Sequence, residues 1–89
     1  MITQSRFQVI GTIVEILPGY QDSKILVIET EKDRFTSVET FKDATETAKS
    51  AEIGQPCLAE GWVSSRKSEK GMWFTKATCS FLKLEELPF

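Results

Sequence analysis

Between Trp62 and Phe74 the chain reads Trp-Val-Ser-Ser-Arg-Lys-Ser-Glu-Lys-Gly-Met-Trp-Phe, which brings three aromatic rings and three cations into thirteen positions. Single-stranded nucleic acid is held by that pair of groups. Bases offer a π-face on which Trp or Phe stacks, at about 1–3 kcal/mol per base, while Lys and Arg neutralise phosphates and release their counterions. Trp62, Trp73 and Phe74 are therefore the stacking candidates, and Arg66, Lys67, Lys70 and Lys76 the phosphate candidates. Arg34 with Phe35 is a weaker extension of the same surface. The competing explanation is two core tryptophans beside a solvated lysine turn. Strand alternation sends Trp73 and Phe74 to opposite faces, so at least one of them is expected outside. Phe41 shares the parity of Phe35, Ser37 and Glu39 and is a further candidate for that extension of the surface, but next to a segment of helical character its expected place is the core.

A second segment, Leu84-Glu85-Glu86-Leu87-Pro88-Phe89, combines two carboxylates, a stiffening proline and a terminal ring with its free carboxylate. Those groups suit docking into an apolar pocket rimmed by Lys or Arg; the alternative is a frayed end folded back on its own domain. Residues 1–84 are read as one folded domain and residues 85–89 as an acidic tip.

Composition narrows the chemistry. The 89 residues carry 11 Lys+Arg against 13 Asp+Glu and contain no histidine. One small core fits that length, and a large catalytic cleft does not. Without histidine the commonest general base near neutral pH is missing, and Cys57 and Cys79 alone cannot make a four-ligand zinc site. No enzyme activity, metal or cofactor is expected. The acidic residues are scattered singly rather than converging as a nuclease would need. The net charge of −2 hides a local excess of cations: Arg66, Lys67, Lys70, Lys76 and Lys83 face only Glu69 between positions 64 and 84. The first six residues lack the basic stretch and apolar core of a signal peptide, and no run approaches the roughly 20 apolar residues of a membrane span. Both cysteines then read as buried free thiols of a cytoplasmic protein.

The remaining pattern must position these groups. Phe7 to Leu17 alternates as a long β-branched strand, with Gly11 marking a bulge or a close backbone approach, and Pro18-Gly19 opens a connection over 18–23. Lys24 to Glu31 and Arg34 to Phe41 form a hairpin about Glu31-Lys32-Asp33. From Lys42 to Glu52 the spacing of Ala44, Ala48 and Ala51 predicts a short helix, with Asp43 as its cap and Gly54 past its end. Gly54 to Lys67, broken by Gly61, is a fourth strand. After the turn Ser68-Glu69-Lys70-Gly71, Met72 to Leu84 is a fifth, with Trp73, Thr75, Ala77, Cys79 and Phe81 on one face. Three strands, a helix, then two strands is the order of an all-β, five-stranded Greek-key barrel of the OB type, with its helix between strands three and four. An SH3-like barrel would have a 3₁₀ turn in place of that helix.

The stretch Gly54-Gln55-Pro56-Cys57-Leu58-Ala59-Glu60-Gly61-Trp62-Val63-Ser64-Ser65-Arg66-Lys67 resembles the fourth strand of bacterial-type single-stranded DNA-binding proteins. These carry two glycines at this spacing, an acidic residue before the second, an aliphatic two after it and an Arg five after it. Gly71 followed by Phe74-Thr75 is similar to the family's Gly then Tyr-Thr entry into the last strand, and Val9-Ile10-Gly11-Thr12-Ile13 resembles its first strand. Glu85-Glu86-Leu87-Pro88-Phe89 looks like the acidic tip, ending in Ile-Pro-Phe, through which these proteins recruit replication and repair enzymes. The likeness is patchy through 18–50. Here the last hairpin is shorter and no flexible linker precedes the tip, as in a compact phage or plasmid relative.

The resemblance implies a sequence-nonspecific single-stranded DNA-binding protein of DNA replication, recombination and repair, nucleoid-associated and assembled as a dimer or tetramer. An open edge on the first strand is the expected place of assembly. A protein-interaction or inhibitor OB domain and an RNA-binding OB module are the alternatives, because stacking and phosphate contacts ignore the sugar.

Overall fold

The computed structural model describes residues 5–86; the expectations for Leu87, Pro88 and Phe89 lie outside them. Its elements are β1 (Arg6–Pro18), β2 (Lys24–Glu31), β3 (Arg34–Thr40), α1 (Asp43–Ala48), β4 (Pro56–Lys67) and β5 (Trp73–Leu84). The strands close into a barrel in the order β1-β2-β3-β5-β4, antiparallel except where β3 meets β5. This is the five-stranded OB barrel that the element order predicts, with its helix between β3 and β4.

Alternation along each strand builds the core. Val9 and Ile13 of β1, Leu26 and Ile28 of β2, Val38 of β3, Cys57 and Ala59 of β4, and Cys79 and Leu82 of β5 all turn inward. Each fully buried aliphatic side chain among them contributes about 1.5–3 kcal/mol. Ala44 and Ala48, one helical turn apart, close one end of this core, so α1 serves as a plug. Cys57 and Cys79 are free and buried, and burial foremost pushes the Cys57 thiol up to about 11, which makes both packing groups rather than nucleophiles.

Three local expectations are corrected, and at Gly11 one of the two expected alternatives holds. The helix spans six residues instead of reaching Glu52, because after Ala48 the polar Lys49 and Ser50 follow and the amides of Lys49, Ser50 and Ala51 bond three residues back. Asp43 is not its cap: Lys42 holds that position at φ 54° and makes no side-chain cap bond. The bulge in β1 falls at Val14, between Ile13 and Glu15, while at Gly11 an added Cβ would run into the Glu29 carbonyl, the close approach being the alternative foreseen there. In β5, Ser80 is an extra residue opposite the Glu60/Gly61 step, which flips the alternation and turns Phe81 outward, away from the face of Cys79. An added Cβ at Gly61 would overlap the Thr78 carbonyl, so only glycine lets the two strands approach there.

Candidate nucleic-acid interface

The β4–β5 ladder continues well past the barrel. β5 pairs with β3 only at Glu39↔Thr78 and Thr40↔Cys79, whereas it pairs with β4 all the way to Lys67↔Trp73. Beyond Thr78 the two strands therefore form a free arm, closed by a turn in which the Ser68 amide donates to the Met72 carbonyl at 2.7 Å and the Gly71 amide to Ser68 at 3.0 Å. The molecule is drawn out to 48 × 30 × 27 Å.

Period-two alternation sorts the arm into two faces. Trp62, Ser64 and Arg66 of β4 lie opposite Thr78, Lys76 and Phe74 of β5 on the side that continues the barrel's exterior. Val63, Ser65 and Lys67 lie opposite Ala77, Thr75 and Trp73 on the side that continues its interior. A hydroxyl bond between Ser65 and Thr75, 2.9 Å, crosses this reverse face. Both Trp73, 67% exposed, and Phe74, 54% exposed, are open to solvent, one on each side, as adjacent strand residues must be.

The outer face extends onto β3, where Phe35, Ser37 and Glu39 share its parity, and ends at Phe41. Phe41 is 42% exposed and meets Trp62 edge to face at 5.7 Å between centroids, which corrects its expected place in the core. It follows Thr40, whose side chain is buried and accepts from the Lys24 amide and the Thr45 hydroxyl, so the next residue has to turn outward. Lys42 Nζ then stands 5.1 Å from the Phe41 centroid. Tyr20, in the β1–β2 connection, is exposed at the rim of a cavity of about 510 Å³ whose lining includes Ser23, Glu39, Phe41, Lys42 and Lys76.

Of the nine nucleic-acid candidates, the structure places Trp62, Arg66, Phe74, Lys76 and Phe35 on this face. Lys67 and Trp73 lie on the reverse face, Lys70 in the turn, and Arg34 on the opposite parity of β3, where it makes an exposed 3.8 Å ion pair with Glu31. Among the described residues Arg66, Lys67 and Lys70 have no carboxylate within ion-pairing distance. Lys76 does: its ammonium lies 2.6 Å from Glu39, whose other oxygen accepts from the Tyr20 amide and the Ser23 hydroxyl. Lys76 foremost, with Ser23 and Tyr20, outweighs burial and holds the Glu39 carboxyl at about 2.

Tyr20 and Lys42 are surface groups that the sequence reading did not assign, and Phe41 is one that it placed in the core. The signals for them were a lone aromatic in a polar connection and a Phe-Lys pair at the junction of strand and helix. Of the acidic tip, Glu85 is tied to the barrel, its amide donating to the Pro56 carbonyl at 3.0 Å and its carbonyl accepting from the Gln55 side chain at 2.8 Å. Glu86 is exposed.

No family model matches this sequence, and no curated protein matches it. Solved structures do. The chain is similar to the mitochondrial single-stranded DNA-binding protein of S. cerevisiae, with a TM-score of 0.68 and 12% identity over 92% of this chain and 94% of that one. It is similar to the second single-stranded DNA-binding protein of Mycobacterium smegmatis, with a TM-score of 0.62 and 13% identity over 92% and 87%. A small single-stranded DNA-binding protein from Streptomyces coelicolor aligns at 0.56 and 15% identity over 94% and 96%. The barrel, its helix and its strand order are thus the fold of these single-stranded DNA-binding proteins, shared over nearly the whole of each chain.

Proposed function

We propose that the chain binds single-stranded DNA with little sequence preference along the outer face, coating and protecting it during replication, recombination or repair in a bacterial or phage-infected cell. The observation that carries this reading is the continuity of that face: Phe35, Phe74, Arg66, Trp62 and Phe41 share one side of three neighbouring strands, with rings for bases and a cation for phosphate. Lys67 and Lys70 add charge from the reverse side and the turn. The shared fold with single-stranded DNA-binding proteins supports the same reading.

Two finer roles belong to it. Residues Glu85 to Phe89 recruit partner proteins, and deleting Leu87–Phe89 then leaves DNA affinity intact or raised while abolishing recruitment. The protein also self-associates as a dimer or tetramer. In support, Phe7–Ile10 of β1 pairs only with β4, leaving its second edge open, and on the barrel's outer surface the exposed Ile10 lies opposite Leu58 while the exposed Phe81 lies opposite Glu60, the next outward residue of β4.

Titrating intrinsic Trp fluorescence with poly-dT at low and high salt tests the function. Strong quenching that weakens with salt is expected; no quenching and no retention of the oligonucleotide at low salt would refute DNA binding.

A further inference from the structure

Lys76 is placed where a phosphate contact would be looked for, in the middle of the outer face, yet its charge is already answered. Glu39 stands beside it in the β3–β5 register, 14% exposed, and receives three donors: the Lys76 ammonium, the Ser23 hydroxyl at 2.7 Å and the Tyr20 amide at 2.8 Å. A phosphate that drew Lys76 away would gain one charge-assisted bond and leave a partly buried carboxylate short of its strongest partner. The exchange brings no net advantage to the phosphate. The surrounding cavity offers a phosphate no surplus cation, since its lining holds the carboxylates of Asp22, Glu39 and Glu46 against the ammonium groups of Lys42 and Lys76, and Lys49, 3.1 Å from Glu46, brings the balance only to neutrality. Its exposed rings, Tyr20 and Phe41, suit a base.

We propose that Glu39 takes the place of a phosphate on Lys76, so that a bound strand crosses this part of the face through its bases, between Tyr20 and Phe41, and meets its phosphate partner farther out at Arg66. The proposal rests on the single-stranded DNA reading. Glu39 acts here as a positioning residue: it neutralises Lys76 and fixes the β1–β2 connection that carries Tyr20.

The test is the salt dependence of poly-dT binding in Glu39→Gln and in the double variant Glu39→Gln/Lys76→Gln. Glutamine keeps an acceptor for Ser23 and Tyr20 but releases Lys76 as a free cation. The Glu39→Gln slope of log K against log salt should steepen by about 0.7, so that it loses about 2.6-fold more affinity than the wild type between 50 and 200 mM salt. The double variant, a neutral pair replacing a neutral pair, should return to the wild-type slope. Arg66→Gln, flattening the slope by a similar amount, shows that single contacts are resolved, and thermal melts report whether each variant is folded. A double variant flatter than the wild type would place Lys76 on a phosphate in the native protein and overturn the proposal. An unchanged slope in folded Glu39→Gln would do the same. A wild type that ignores poly-dT would instead refute the underlying DNA reading.

Discussion

The two faces of the β4–β5 arm are cut from the same two stretches of chain, but they continue into different surroundings. Trp62, Arg66, Phe74 and Lys76 on the outer face run on into Phe35, Glu39 and Phe41 of the neighbouring strand and to the Tyr20 connection. Lys67 and Trp73 on the reverse face run on through Ala77 toward Cys79, which is inside the barrel. A ring and a cation therefore occur on both sides, and only one side prolongs them into a track. Binding a flexible strand depends on successive stacking platforms along a charged path, so continuity, more than residue type, separates the two faces.

Replacing one ring on each side puts this difference to the largest test. Phe74→Ala should lower poly-dT affinity about 5- to 150-fold, corresponding to a lost stack of about 1–3 kcal/mol, while Trp73→Ala stays within about twofold. Both residues are exposed, so both variants should melt within about 0.5 kcal/mol of the wild type. Equal losses of affinity would mean that DNA wraps the arm.

A smaller effect separates the cations. Arg66→Gln should flatten the salt slope by about 0.7, and Lys67→Gln by less than half of that. Lys67→Glu combined with Lys70→Glu weakens binding and flattens the slope further through the field of the whole turn; an unchanged slope there would remove the arm from the site.

The smallest effect is on stability and reads the anchored centre of the outer face. Glu39 titrates near 2 in the folded protein against an ordinary value of 4.5. Its contribution is complete above about pH 4.5 and is lost as pH falls toward 2. Glu39→Gln should therefore show a shallower fall in melting temperature across that window, and a fall parallel to the wild type's would mean that Lys76 and Ser23 do not hold the carboxylate in solution.

Most of the barrel was legible in the sequence, because period-two runs and glycine or turn signals survive without tertiary context. The opposite placement of Trp73 and Phe74 followed from alternation alone. What escaped depends on a partner strand. The extra residue Ser80 that turns Phe81 outward is needed only because β5 must stay in step with β4 past Gly61. Phe41 reads as core until Thr40 takes the buried position before it. The pairing of Lys76 with Glu39 joins residues 37 apart through a short parallel contact that no local pattern announces. Tyr20 joins the face only because Glu39 holds its connection there.

The outer face as the DNA track is tested most directly by single-tryptophan fluorescence. Trp73→Phe leaves Trp62 as the reporter on the outer face, and Trp62→Phe leaves Trp73 on the reverse face. Titrated with poly-dT at low salt, the protein retaining Trp62 should keep most of the wild-type quenching and the protein retaining Trp73 should lose most of it. Quenching that stays with Trp73 and vanishes from Trp62 would contradict the account.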